Sequence, residues 1–147
     1  LWNWQLPPGY LEDGTFSGLA LRNWLEQVEE LTRASGHWEV ALDQVGRVLK
    51  WSPPDPDGLW IHRDAAAVLN RKEGKILRQA FHCEYINSRG AHFVDPSGQP
   101  ERDLAAHYQK QADEVENAGF VRLAATMGDL AESYSREADR IASGRDF

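Results

Sequence analysis

Residues 100–142 read PERDLAAHYQKQADEVENAGFVRLAATMGDLAESYSREADRIA, and this stretch decides the fold. Pro100 suits a first helical turn, where its missing N–H costs nothing, and Glu101 and Asp103 follow where the helix dipole favours acids. Leu104, Tyr108, Ala112 and Val115 then recur at helical spacing as one apolar stripe. Asn117-Ala118-Gly119 is a helix stop, and Leu123, Met127, Leu130, Ala131, Tyr134, Ala138 and Ile141 make a second stripe beyond it. Two helices joined by so short a turn must pack antiparallel. Alanines at 105, 112, 124, 125 and 131 allow a close approach.

Upstream the same period recurs. Leu21, Trp24, Leu25, Val28 and Leu31 predict a first helix, capped by Thr15 or Ser17 and ended by Ser35-Gly36. A second helix is expected over about His37–Lys50, with Gly46 marking a close crossing. Asp64 is expected to cap a short third helix through Leu69. A fourth is expected over about Lys75–Tyr85, broken by Asn87-Ser88-Arg89-Gly90. The prolines of Ser52–Gly58 make a rigid connection between Trp51 and Trp60, and Pro7-Pro8-Gly9 makes residues 1–14 an extended segment that packs on the domain. The expected fold is therefore all-α, a compact single-domain bundle of about six helices over residues 1–147 that ends in a long antiparallel helical hairpin. The chain opens on a leucine, so it is expected to be a domain of a longer protein.

Composition limits the function classes. A net charge of −7 disfavours non-specific nucleic-acid binding, which needs a cationic surface. The stretch Arg63–Arg89 is locally basic and could meet an anionic ligand or acidic partner, with Arg71, Lys72, Lys75 and Arg78 as candidate nucleic-acid contacts; its simpler reading is a solvated helix face. The single cysteine, Cys83, forms no disulfide framework, which fits a reducing, cytoplasmic location; its expected role is a small buried residue beside Phe81. No apolar run approaches membrane-spanning length.

Motifs for chemistry are sparse. His82, Cys83 and Glu84 diverge around a helix and cannot share one ion, and Asp55-Pro56-Asp57-Gly58 lacks the closing glutamate of a calcium loop. Neither a phosphate-cradling glycine loop nor a nucleophile elbow appears, so no metal and no cofactor is expected. Two places invite binding. Trp2, Trp4, Trp51 and Trp60 are candidate anchors for another domain or a partner protein. Asn87 and Arg89, with His82, His92 and Glu101, are candidate linings of a polar site around the 87–90 loop, where Arg89 would grip a carboxylate or phosphate. The competing structural reading pairs Arg89 with Glu101 or Glu84 to hold the loop shut.

The segments Asp57-Gly58-Leu59-Trp60, Asn87-Ser88-Arg89-Gly90, Glu101–Tyr108 and Ala131–Ala138 together resemble a helical module found towards the C-terminus of large bacterial multidomain proteins. The resemblance spans Pro56–Ala142 and implies an accessory domain of a larger bacterial protein. The reading that follows is a non-enzymatic accessory or protein-interaction domain. The alternatives are a small-ligand or catalytic site at Asn87–Gly90 and, third, nucleic-acid contact through Arg71–Arg78.

Overall fold

The computed structural model describes residues 6–144, so Trp2 and Trp4 lie outside the described residues. Among the described residues there are six α-helices and no strand: α1 (Gly18–Ser35), α2 (Trp38–Val48), α3 (Arg63–Leu69), α4 (Lys75–Ser88), α5 (Gln99–Asn117) and α6 (Val121–Ala142). None is long and apolar enough to cross a membrane. The chain forms two compact units that divide between Tyr85 and Ile86.

In the first unit, α1 starts where the Ser17 hydroxyl accepts the Ala20 N–H at 3.1 Å and ends at Gly36, whose φ of 77° is left-handed. It packs on α2 and α3, and its full burial is confined to Gly18, Leu21 and Leu25. The expected stripe does not extend to Leu31, which is exposed. Leu31 lies about 240° round the helix from the buried Leu25, on a different face. His62, not Asp64, caps α3: its Nδ1 accepts the Asp64 N–H at 3.1 Å, while the Asp64 carboxylate pairs with Arg22. Gly46 does mark a crossing, since a Cβ there would strike the Leu77 carbonyl oxygen and sit 2.8 Å from the Ala80 methyl of α4.

Two further expectations change. Residues 6–16 are not simply extended: Tyr10 and Phe16 form an antiparallel bridge, Ser17 N–H donates to Gly9 O at 2.8 Å, and the Phe16 ring meets His62 at 4.7 Å. Cys83 is exposed, because it falls two residues beyond the buried Phe81 and so on the far side of α4.

The second unit is built on the hairpin of α5 and α6, which pack along each other after the turn at Ala118–Phe120. Every residue of the predicted α6 stripe is buried. The approach to α5 is fixed by Gly98, whose φ of 71° opens the helix and whose Cα faces α6 so closely that a Cβ would lie 2.6 Å from the Ala138 carbonyl oxygen.

Candidate functional site

The fourth helix does not break at Asn87. It continues through Ser88, and Arg89 and Gly90 follow at its end, with Gly90 left-handed at φ 66°. This extra turn carries Asn87 into helix, where it is exposed. Residues 89–98 then run as a loop to α5. Its distal half is held by Asp95, whose carboxylate accepts the Ser97 N–H at 2.9 Å and the Ser97 hydroxyl at 2.7 Å. Those bonds hold the Asp95 carboxyl below its ordinary pKa.

Arg89 is the centre of what the loop and hairpin assemble. Its Nη2 donates to Glu101 Oε1 at 2.9 Å. Glu101, in the first turn of α5, has no solvent exposure, and Arg89 keeps only 19% of its side chain in water. The guanidinium lies 5.5 Å from the Tyr134 ring centre, a cation–π contact, and Tyr134 in turn stacks on Tyr108 at 5.6 Å. Burial raises both tyrosine pKa values and keeps the rings neutral; the neighbouring phenol adds to the rise at Tyr108, and Arg89 opposes it at both. The Arg89 guanidinium is thus clamped on one edge and one face.

The clamp is incomplete. Arg89 Nη1 and Glu101 Oε2 are buried and have no hydrogen-bond partner among the described residues. Glu137 Oε2 stands 3.9 Å from Arg89 Nη1, too far to close a bond. An unsatisfied buried polar atom costs about 1–3 kcal/mol, a cost the cluster carries at both atoms.

A pocket of about 400 Å³ opens beside this cluster, within the size range of small-molecule sites. Arg89, His92 and Tyr134 line it, with Ser133, Arg136, Glu137 and Arg140 of α6. Ser133, Arg136, Glu137 and Arg140 fall at positions i, i+3, i+4 and i+7, which places these four on one helix face. Arg136 is already paired with Glu132 one turn earlier. His92 Nδ1 faces the Gly90 carbonyl oxygen at 3.1 Å, and a carbonyl can only accept, so Nδ1 carries a proton. In the neutral ring Nε2 is then a free lone pair, 3.9 Å from Glu101 Oε1.

His92, Glu101 and Glu137 bring one ligand atom each within 4.8 Å of one another, a spacing that a metal ion could draw together. The Arg89 guanidinium already supplies positive charge to both carboxylates. A metal would have to compete with the 2.9 Å bond from Arg89 to Glu101.

The residues singled out in the sequence therefore separate. Arg89, Glu101 and His92 come together in the second unit, with Glu101 behind the pocket rather than in it. Asn87 does not line the pocket. His82 belongs to the first unit, its Nε2 buried without a hydrogen-bond partner among the described residues. Trp51 and Trp60 also belong to the first unit and are half-buried, with Lys50 Nζ 4.0 Å above the Trp51 ring. In the basic stretch, Arg78 Nη1 donates to the Leu69 and Arg71 carbonyl oxygens and so serves the α3–α4 turn. Sequence reasoning placed Tyr134 only in the apolar stripe of α6 and singled out neither Glu137 nor Arg140, two of the many charges along that helix. Compared with protein-family models, with curated proteins and with solved structures, the chain matches none of them.

Proposed function

We propose that this chain is an accessory binding domain whose second unit captures a small carboxylate- or phosphate-bearing ligand at Arg89. One observation carries the reading: a guanidinium already oriented by a buried carboxylate and an aromatic face, with 19% of its side chain in water, at the wall of a pocket it shares with Arg136 and Arg140. Preorganisation of this kind removes much of the ordering cost that weakens anion binding by free surface arginines. Arg140 and Arg136 extend the positive wall, and Ser133 and Tyr134 add hydroxyl groups. The free thiol of Cys83 supports a reducing, cytoplasmic setting.

Isothermal titration calorimetry on the full chain tests the proposal, with acetate, inorganic phosphate and free amino acids as probes. At least one probe should bind, and Arg140→Ala should weaken it about fivefold or more without lowering stability, because that side chain is exposed. Absence of heat from every probe at millimolar concentration, with the protein folded, would refute the proposal.

A second reading, docking of a partner protein, has its own support. Phe93 is fully exposed in the same loop as His92, and Val94 and Ile86 are also exposed. A large aromatic left in water beside a charged pocket is a common interface anchor. Phe93→Ser would then abolish capture by a partner and leave small-anion binding intact.

A further inference from the structure

The pocket is not uniformly cationic. Glu137 lines it together with three arginines, and its carboxylate makes no hydrogen bond among the described residues. His92 adds a second acceptor through Nε2, because Nδ1 is committed to the Gly90 carbonyl. The wall therefore sets the Arg89 guanidinium beside the partly exposed Glu137 carboxylate, whose Oε2 lies 3.9 Å from Nη1, an ion pair too long to be a hydrogen bond. Opposite charges held that close, yet not bonded, match a ligand whose own opposite charges sit on adjacent atoms.

We infer that the ligand is a free α-amino acid, with Glu137 as the residue that sets this specificity. The inference rests on the anion site proposed above. In an α-amino acid the carboxylate and the ammonium are one carbon apart. The carboxylate lies against the cationic wall that Arg89 and the exposed Arg140 give the pocket. The ammonium donates to Glu137, with His92 Nε2 as a further acceptor. All four charges then alternate, so each is adjacent only to its opposite. A phosphate dianion gains the arginines but is set against the Glu137 carboxylate, which repels it and has no donor to accept from. A simple carboxylate brings no donor to Glu137. Ile86, at the pocket wall and exposed, gives an apolar side chain a surface to cover.

Calorimetry with three probes separates the possibilities: L-leucine, its ammonium-free analogue 4-methylpentanoate, and inorganic phosphate. L-leucine should bind roughly ten- to a hundredfold more tightly than 4-methylpentanoate, the range of one charge-assisted hydrogen bond. In Glu137→Gln that ratio should fall to about threefold or less, with 4-methylpentanoate and phosphate unchanged or tighter. Glu137 is partly exposed, and a glutamine keeps its shape; circular dichroism checks that the variant is folded. If 4-methylpentanoate or phosphate binds the natural protein as tightly as L-leucine, the anion site stands and the amino-acid inference is overturned. If leucine is preferred but Glu137→Gln leaves the ratio unchanged, Glu137 is not the specificity residue and the inference is overturned. If none of the three binds, the inference and the anion site both fall.

Discussion

Removing one partner of the Arg89–Glu101 pair should cost far more than removing both. Arg89→Met leaves Glu101 fully buried with no cation within hydrogen-bond reach, which costs about 3–5 kcal/mol by the behaviour of broken buried pairs. Glu101→Leu should cost less, roughly 2–3 kcal/mol, because Arg89 keeps a fifth of its side chain in water and Glu137 stays 3.9 Å away. The double variant Arg89→Met/Glu101→Leu removes both charges and fills the space with apolar atoms of similar size, so it should lie within about 1–2 kcal/mol of the natural protein. The coupling between the two positions is then at least about 3 kcal/mol, well outside the additivity expected of independent sites. The chain supplies its own reporters. All six tryptophans precede Ile61, whereas Met127 is the single methionine and is buried in α6. Urea unfolding followed by the Met127 methyl resonance therefore reads the second unit, and tryptophan fluorescence reads the first. Additive single-variant costs, or a Glu101→Leu cost below about 0.5 kcal/mol, would show that the pair is not the buried, desolvated contact described here. The double variant should also lose ligand binding while staying folded, which separates recognition from stability.

Other expectations follow from local geometry. Gly98→Ala combines a left-handed φ of 71° with a Cβ 2.6 Å from the Ala138 carbonyl oxygen and should cost roughly 3 kcal/mol or more. Gly90→Ala shares the positive φ but meets open space, so its cost should be about 1–2 kcal/mol, and urea midpoints read the difference. Gly46→Ala should destabilise the first unit and shift the tryptophan transition to lower urea. Tyr108 and Tyr134 have folded-state pKa values above their unfolded ones, so the folded state holds its phenol protons more tightly. Their contribution is fully present below about pH 10 and is lost as pH rises through the folded values; phenolate absorbance during an alkaline titration should lag that of free tyrosine.

The helices were legible because their signals are local. Ser17, Gly36, Pro100 and Gly119 mark ends through backbone chemistry that needs no tertiary partner, and the α6 stripe from Leu123 to Ile141 is buried as its period required. Leu31 and Cys83 were misread against the helical period itself, since each lies far round its helix from the buried Leu25 and Phe81. The extent of α4 was misread for a related reason: Asn87 and Ser88 have modest helix propensity, and the strong breaker, Gly90, comes two residues later. At the candidate site, the pairing of Arg89 with Glu101 was foreseen as one of two options. The role of Glu137 was not, since a glutamate on a charged helix face looks the same whether or not a loop comes to lie beside it.

The hairpin of α5 and α6 also sets an order of events. Its contacts nearest the Ala118–Phe120 turn join residues close in sequence, so they form quickly and can nucleate the second unit. Arg89 reaches Glu101 only across the whole 89–98 loop, and Glu137 only after α6 has come back along α5. The guanidinium should therefore dock after the folding barrier is crossed, and substitutions there should speed unfolding while leaving the folding rate nearly untouched. A ligand seated on that late contact would act as a latch, lengthening the lifetime of a structure whose formation it does not hasten.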